Sequence, residues 1–161
     1  MGLEYFNTLS REEAEAQLYS CFAHRGWAAR VAAGRPYQHR SALLASAESA
    51  WSNLGRSDWL EAFAAHPRIG ERGGHSPAIS EREQSRVMVS SDEVLAGLAS
   101  ENRAYEDRFG HVFLIAASGR SAEEILQSLR QRMANDPEKE LSVAAAEQRK
   151  ITQLRLDTLL G

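Results

Sequence analysis

The chain has 161 residues, of which 43% are hydrophobic and 25% charged, and its formal net charge is -3. This length favours one domain with a buried core, and the composition is typical of globular proteins, not of disordered ones. The small net charge with scattered basic residues argues against a nucleic-acid platform, and Cys21 as the single cysteine excludes an internal disulfide and the usual zinc-ribbon spacings.

The N-terminal stretch MGLEYFNTLSREEAEAQL lacks the basic and then apolar layout of a secretory signal. No apolar run approaches the roughly 20 residues of a membrane-spanning helix. The C-terminal DTLLG is not a peroxisomal address. We therefore expect a cytoplasmic protein that binds neither a membrane nor nucleic acid.

Helix-forming residues recur at spacings of three and four through the first third of the chain. LSREEAEAQLYSCFAH opens with a capping box of Ser10 and Glu13. RGWAARVAAGRP predicts a short helix that Gly34 and Pro36 end. SALLASAESAWSNLG carries an apolar stripe and predicts a helix that stops at Gly55.

The middle of the chain contains one glycine-rich interruption. SDWLEAFAAH predicts a further helix, capped by Ser57 and stopped by Pro67. GERGGHSP, from Gly70 to Pro77, has the composition of a loop. ISEREQSRVMV then shows a second capping box, Ser80 with Glu83.

The last third returns to helical patterns. SSDEVLAGLASENRAYEDRFG predicts a long amphipathic helix that ends at Gly110. HVFLIAAS is apolar and β-branched, but no second strand candidate exists to pair with it, so we interpret it as a buried connecting segment or a helix entry. A third capping box pairs Ser121 with Glu124, and a final helix has Pro137 near its first turn.

The chain shows no repeat period, no low-complexity tract and no linker long enough to separate two domains. The pattern therefore predicts an all-α fold. We expect a single domain over residues 1–161, built as a multi-helix bundle of about six to nine helices.

Arg155 falls in the middle of the apolar stripe of the predicted final helix, on a wheel at about 100° per residue. Because an unpaired buried charge is strongly destabilising, this arginine needs a partner. Its stem could pack while the guanidinium reaches solvent, or it could pair with a structural carboxylate. Alternatively, it binds an anion bidentately at the floor of a ligand site.

His66 follows Trp59 and Phe63 at spacings of three and four, which places its imidazole on the buried face at the last turn of the predicted helix. A lone histidine beside aromatic residues is more often a satisfied core residue than a catalyst. Pro67 fixes the chain direction directly after the imidazole and points toward the glycine-rich loop, where the rim of a ligand site could form. Both interpretations stay open at this point.

Glu83 also has a structural interpretation. It stands three residues after Ser80, where its carboxylate would reach back to the helix cap. Under that interpretation the cap alone accounts for Glu83, and Glu81 and Gln84 face solvent.

Four stretches together resemble the OHCU decarboxylase family: DWLEAFAAHPRIGE, SEREQS, ENRAYEDRFGHVFLIAASGRSAEEIL and RMANDPEKELSVAAAEQRKITQLRL. The resemblance runs from about Leu9 to Leu160. HPRIG joined to a downstream S-x-x-E-Q is a specific combination, whereas either piece alone is weak. These enzymes act on 2-oxo-4-hydroxy-4-carboxy-5-ureidoimidazoline (OHCU), a late intermediate in the oxidation of urate.

The resemblance implies a set of site residues in this sequence. The catalytic residues that it implies are His66, Glu83 and Arg155. The substrate-binding residues that it implies are Pro67, Ser80, Gln84, Phe113, Leu114 and Ile115, the last three through main-chain groups that hold the ureido-imidazoline ring.

The resemblance further implies an all-helical homodimer that uses no cofactor or metal, releases CO2 from OHCU and leaves (S)-allantoin. One alternative is a non-catalytic helical module that holds a small anionic purine-derived metabolite through His66 and Arg155. A second alternative is a metal-dependent hydrolase with His66, His75 and Glu83 as ligands, although the sequence contains no HExxH motif.

Overall fold

A computed structural model describes residues 1–71 and 74–161 of the chain. Within these residues there are nine α-helices and no β-strand, which confirms the all-α prediction. The helices are α1 (Leu3–Thr8), α2 (Arg11–Cys21), α3 (Arg25–Ala33), α4 (Arg40–Ser52), α5 (Arg56–Phe63), α6 (Pro77–Glu83), α7 (Asp92–Phe109), α8 (Ala122–Arg132) and α9 (Pro137–Leu160).

Local capping motifs set several helix ends as the sequence predicts. At the start of α2, the Glu13 N–H donates to Ser10 Oγ at 3.1 Å and the Ser10 N–H donates to Glu13 Oε2 at 3.0 Å. Ser121 Oγ accepts from the Glu124 N–H at the start of α8. Gly110, with φ of 79°, ends α7 in the left-handed conformation that glycine adopts without strain. Helix α1 was not predicted.

The predicted cap of α5 is wrong. The helix begins at Arg56, so Ser57 already lies within its first turn. The Gly55 N–H donates instead to Asp58 Oδ2 at 2.9 Å. A carboxylate accepts this hydrogen bond more strongly than a hydroxyl would, and its charge is favourable at a helix N-terminus.

The second predicted capping box, Ser80 with Glu83, is also wrong. Helix α6 begins at Pro77, so Ser80 lies inside the helix and its backbone N–H donates to the Ser76 carbonyl at 3.0 Å. Proline is favoured at a first helical position because its missing N–H would be unbonded there anyway. The predicted loop from Gly70 to Pro77 therefore ends one residue earlier, and two of its members, Arg72 and Gly73, lie outside the described residues.

The chain divides into two compact units, which we call the first unit (Met1–Ala62 with Ile151–Gly161) and the second unit (Phe63–Lys150). The core of the first unit is rich in aromatic rings. The ring centroids of Phe22 and Trp51 are 4.6 Å apart, and Trp27 meets Phe22 edge-on at 5.3 Å. Trp27 also donates its indole N–H to a backbone carbonyl at 3.0 Å, so its one polar atom is satisfied.

The second unit has an apolar core crossed by a buried ionic network. Glu140 is fully buried and accepts from Arg132 Nη2 at 2.6 Å, from Asn135 Nδ2 at 3.1 Å and from the Tyr105 hydroxyl. Burial raises the pKa of Tyr105 far above its ordinary range, and the hydrogen bond to Glu140 raises it further. Such a network is tolerated in a core because each charged group finds hydrogen-bond partners.

The segment 112–117 runs between α7 and α8 without regular secondary structure. Phe113, Leu114 and Ile115 are all buried, as the interpretation of HVFLIAAS as a buried connecting segment predicts. Within the parts of the chain that the structure describes, no helix combines the length and apolarity needed to cross a membrane.

Candidate functional site

His66 lies in a turn that follows α5. The helix ends at Phe63, and the His66 backbone N–H donates to the Phe63 carbonyl at 3.1 Å. The predicted position of His66 in the last helical turn is therefore wrong, because the helix stops three residues earlier. Phe63 is fully buried, whereas His66 is half-buried. The turn, and not the helix, positions the imidazole.

The imidazole ring of His66 contacts a buried carboxamide on α9. His66 Nε2 lies 2.6 Å from Gln148 Oε1, and Gln148 is fully buried. An amide oxygen can only accept a hydrogen bond, so Nε2 carries a hydrogen in this arrangement. The bond joins two residues that are 82 positions apart in the chain.

Arg68 anchors the segment that follows His66 and Pro67. Its Nε and Nη2 donate to the two carboxylate oxygens of Glu106 on α7, at 2.7 and 3.1 Å. Both side chains are partly exposed, so this pair contributes little to stability but specifies geometry through its two parallel bonds. Hydrogen bonding to Glu106 raises the pKa of Arg68. Arg68 therefore acts here as an anchor for the chain.

The next two residues are held by buried amides. Asn102 on α7 donates from Nδ2 to the Ile69 carbonyl at 3.0 Å. Gln84 accepts from the Gly70 N–H at Oε1, at 2.8 Å. Asn102 and Gln84 are 1% and 5% exposed, so the expectation that Gln84 faces solvent is wrong. These bonds fix the backbone of HPRIG on the side of α6 and α7.

A close approach by Gly74 and His75 fixes the other side of the segment. A Cβ at Gly74 would lie 2.5 Å from Pro67 Cδ and 3.0 Å from the Ala65 carbonyl oxygen, and Gly74 has φ of 81°. The Ala65 carbonyl accepts from the His75 N–H at 3.0 Å and from His75 Nδ1 at 3.2 Å. The rings of His66 and His75 meet edge-on with centroids 5.6 Å apart. Only glycine at position 74 permits this packing.

Ser80 is a buried hydroxyl in the middle of α6. It is 4% exposed, and its Oγ has no hydrogen-bond partner among the described residues. A buried polar atom without a partner costs about 1–3 kcal/mol, which is unusual in a native structure. An atom of this kind is a candidate for contact with a ligand, which agrees with the substrate-binding role that the sequence resemblance implies.

Glu83 is the last residue of α6 and is half-buried, while Glu81 on the same helix is exposed. Because the capping box does not form, the structural explanation for Glu83 from the sequence no longer applies. The catalytic role that the sequence resemblance implies for Glu83 stays a prediction.

The extended segment 112–117 is anchored at two main-chain positions. Arg132 Nη1 donates to the Leu114 carbonyl at 2.6 Å, and Glu147 Oε1 accepts from the Ala116 N–H at 3.1 Å. The side chains of Phe113 and Ile115 are buried, so a ligand at this segment would meet main-chain atoms. The predicted ring-holding role of Phe113, Leu114 and Ile115 stays a prediction on that basis.

Arg155 belongs to the first unit and is 4% exposed, so the alternative in which its guanidinium reaches solvent is wrong. Its Nη1 donates to the Ser20 carbonyl at 3.3 Å. The burial that the helical wheel predicts for this arginine is confirmed. Its role as an anion-binding fork stays a prediction.

Three side chains of the first unit lie close enough together to hold a metal ion, namely His24, Asp58 and Glu61. His24 Nδ1 accepts from the Trp27 N–H at 3.0 Å, so in a neutral ring the proton is on Nε2, which lies 2.8 Å from Asp58 Oδ1. Nε2 then has no lone pair for a metal while His24 caps α3. Among the described residues, the predicted trio of His66, His75 and Glu83 is not such a group.

An open cleft of about 700 Å³ lies along α2 and α3 in the first unit. Its charged lining includes Arg11 and Glu15, which pair with each other at 2.9 Å, and Arg25, which stacks over the Tyr19 ring. None of the predicted site residues lines this cleft. We therefore base the candidate site on the HPRIG segment and not on this cleft.

Sequence reasoning missed Gln148. This residue stands seven positions before Arg155, which is two turns of the same helix, and the wheel therefore places it on the stripe that singled out Arg155. A polar residue on a predicted apolar stripe was the available signal. What the wheel could not show is that the partner of Gln148 is His66.

Comparisons with known proteins show the family of the chain. The family model described as OHCU decarboxylase matches residues 7–157. The chain is 35% identical to the uric acid degradation bifunctional protein TTL of Arabidopsis thaliana, over 95% of the chain and 49% of that protein. It is 32% identical to the 2-oxo-4-hydroxy-4-carboxy-5-ureidoimidazoline decarboxylase of Amia calva, over 83% of the chain and 79% of that protein.

Among solved structures, a crystal structure of OHCU decarboxylase in the presence of (S)-allantoin superposes with a TM-score of 0.79 and 35% sequence identity, covering 90% of this chain and 97% of that one. The chain spans about half or less of the bifunctional relatives that it matches, 49% in Arabidopsis thaliana and 32% in PucL of Bacillus subtilis.

Proposed function

This chain belongs to the OHCU decarboxylase family, and we propose that it removes CO2 from OHCU and leaves (S)-allantoin in the degradation of urate. The match over residues 7–157 and the likeness to an OHCU decarboxylase crystallised with (S)-allantoin support the proposal. The observation that carries it is the hydrogen bond between half-buried His66 and fully buried Gln148, which holds the imidazole in one orientation.

The proposed reaction breaks the bond between ring carbon C4 of OHCU and its carboxylate. The released electron pair passes into the adjacent C5=N1 bond, so that a C4=C5 bond forms and N1 takes a proton. The C4 hydroxyl then loses its proton and becomes a carbonyl, while C5 gains a proton and becomes the stereocentre of (S)-allantoin. An anionic substrate therefore consumes one proton overall, and the protein must deliver a proton to one face of C5.

His66 is the proton-transfer residue in this proposal, because an imidazole exchanges protons near neutral pH. A catalytic role for Glu83 and an anion-binding role for Arg155 enter the proposal from the sequence resemblance. Guanidinium matches a carboxylate or carbonyl oxygen with directed hydrogen bonds. Ser80 Oγ, buried without a partner among the described residues, is assigned a hydrogen bond to the substrate.

The test follows the loss of freshly generated OHCU together with the optical activity of the allantoin formed. Wild type should accelerate the loss and give an excess of one enantiomer. His66→Ala should lower kcat by about 100- to 10,000-fold, the usual range for loss of a general acid or base. Glu83→Gln and Arg155→Ala should each reduce kcat/KM in the same assay, with folding checked by circular dichroism.

A matched control is His39→Ala, which removes an exposed imidazole whose side chain makes no cap hydrogen bond. This variant should retain the wild-type rate. If His66→Ala kept near-wild-type turnover and stereoselectivity, the catalytic assignment would be wrong. If wild type bound allantoin in calorimetry without accelerating loss of OHCU, the non-catalytic binding module would be the correct function.

The proposal also includes assembly and location. The family resemblance supports a homodimer, which light scattering should report as twice the 17.8 kDa chain mass. A mass of one chain at micromolar concentration would contradict it. We place the protein in the cytoplasm, and cell fractionation with activity recovered in the cytosolic fraction tests that placement.

A further inference from the structure

Gln148 occupies a position where its carboxamide has little freedom to move. It lies in the interior of α9, is fully buried, and places Oε1 2.6 Å from His66 Nε2. A buried amide without hydrogen bonds would be destabilising, so the contact with the imidazole satisfies a requirement of both groups. A long helix also fixes the backbone from which the carboxamide projects.

The chemistry of this contact is directional. The amide oxygen accepts and has no hydrogen to give, so the neutral imidazole carries its single hydrogen on Nε2 and its lone pair on Nδ1. We infer that Gln148 is a positioning residue that fixes the Nε2–H tautomer of His66, so that Nδ1 is the atom that exchanges a proton with the reacting substrate. This inference rests on the proposed function.

The turn around His66 completes the positioning. The His66 backbone N–H is bonded to the Phe63 carbonyl, and the neighbouring Ala65 carbonyl is bonded twice by His75. Hydrogen bonds thus hold the main chain at Ala65 and His66, while Gln148 holds the Nε2 atom of the His66 ring. An imidazole constrained at both ends presents Nδ1 in one direction, which is what transfer of a proton to one face of a carbon requires.

The neutrality of Gln148 matters as much as its oxygen. A carboxylate at this distance would also accept from Nε2–H, but its charge would stabilise the imidazolium form and would repel an anionic substrate. The carboxamide selects the tautomer without adding a charge. The titratable groups to be considered beside His66 are the His75 ring, which packs edge-on at 5.6 Å, and Glu83, to which the sequence resemblance assigns a catalytic role.

The first measurement needs no variant. Two-bond proton–nitrogen correlation spectra of uniformly ¹⁵N-labelled wild-type protein, assigned by comparison with His66→Ala, report which ring nitrogen of His66 carries the hydrogen. We expect Nε2–H in the neutral ring. An Nδ1–H tautomer in the wild-type protein would overturn the inference, whatever the protein does to OHCU.

The second measurement compares substitutions at two positions of α9, Gln148 and Gln153. Gln148→Leu removes the acceptor at similar volume and should lose the single tautomer, lower kcat on the order of 10- to 100-fold and change KM little, as expected when a residue acts through the orientation of another. Gln153→Leu, at an exposed position of the same helix, is the matched control and should match wild type. Wild-type kcat in a folded Gln148→Leu would contradict the inference.

Gln148→Glu separates positioning from a merely structural role. It should restore the Nε2–H bond, raise KM for the anionic substrate, and move the acidic limb of the pH–rate profile to higher pH because the imidazolium is stabilised. The same profile as wild type would count against the inference. Failure of the proposed function can be distinguished from failure of this inference. In the first case wild-type protein would not accelerate the loss of OHCU, while the spectra would still report the tautomer of His66.

Discussion

The two compact units bury different kinds of side chain. The core of the first unit is dominated by packed aromatic and aliphatic groups, whereas the second unit buries an ion pair, Arg132 with Glu140, inside its apolar core. Among the buried polar residues that the structure describes, all but Thr152 and Arg155 belong to the second unit. Buried polar side chains, and the directed hydrogen bonds that they make, are therefore concentrated in the second unit.

This difference indicates which unit can hold the side chains and main chain of a ligand-binding or catalytic site in fixed orientations. Apolar packing stabilises without specifying the direction of any polar atom, whereas buried hydrogen bonds orient individual groups. In the second unit those bonds converge on two irregular segments, HPRIG and 112–117, which Asn102, Gln84 and Arg132 hold through main-chain atoms. The polar core of the second unit therefore keeps irregular chain in a defined shape.

The largest effect should follow from breaking the buried ion pair. Glu140→Ala leaves Arg132 buried without its carboxylate partner and should lower the free energy of unfolding by about 3–5 kcal/mol. Denaturant unfolding measures this loss. Glu101→Ala, which removes the carboxylate partner of the exposed Arg130, should cost about 1 kcal/mol or less.

Replacing both members of the buried pair sharpens that result. Arg132→Met combined with Glu140→Leu should recover much of the stability lost in Glu140→Ala, because no uncompensated charge remains. The double variant should nevertheless lose turnover, since the Leu114 carbonyl no longer accepts from Arg132. Equal turnover in the stable double variant would show that the ionic network does not orient the segment 112–117.

An intermediate effect is expected at the close approach beside Pro67. Gly74→Ala forces a Cβ to within 2.5 Å of Pro67 Cδ at a φ of 81°, and should lower stability by about 1–3 kcal/mol. The displacement also reaches His66, so kcat should fall in the folded variant. Gly97→Ala on α7 is the matched control, because its Cβ meets nothing within 4 Å and should raise stability by up to about 1 kcal/mol.

Substitution of Ser80 should increase the stability of the protein but weaken its binding of substrate. Ser80→Ala removes a buried oxygen that has no partner among the described residues, and should raise the free energy of unfolding by about 1 kcal/mol. The same change should raise KM for OHCU. Ser85→Ala, at an exposed position just after α6, should alter neither quantity measurably. A destabilised Ser80→Ala would mean that Oγ has a structural partner.

The smallest effect on stability is expected for Asp58, on the surface of the first unit. The Gly55 N–H, and then the His24 ring, lower the pKa of Asp58. A carboxyl with a lowered folded pKa contributes stability above its unfolded pKa, and that contribution is lost as pH falls through the folded value. The difference in Tm between wild type and Asp58→Asn should therefore shrink as the pH falls below about 4. Asp107→Asn serves as the exposed control.

Local motifs predicted most of the helix boundaries, and the failures are instructive. The capping box at Ser10 was predicted at the correct residues, and Ser121 caps α8 through the Glu124 N–H, which is one half of the box predicted there. Ser80 and Glu83 fit the same pattern and lie inside α6. Pro77 is the reason, since proline at a first helical position starts the helix four residues before Glu81, the first helical residue that a cap at Ser80 implies. A capping pattern is therefore informative only when no stronger start signal precedes it.

Helical periodicity predicted the burial of Arg155 but not the position of His66. The stripe on α9 persists for many residues, so its direction is well defined by the sequence. The stripe leading to His66 is short, and α5 ends before reaching it. A period of 3.6 residues has no meaning beyond the last helical turn.

The sequence by itself determined the all-α class, the main helices, the buried arginine on α9 and the resemblance to a family. The tertiary structure alone decided that Gln148 meets His66, that Arg68 meets Glu106 and that Gly74 packs on Pro67. The physical reason is the distance along the chain over which each kind of interaction acts. Propensity, capping and periodicity act over a few residues along the chain, whereas a hydrogen bond between residues 82 positions apart forms only when packing brings both groups to the same place.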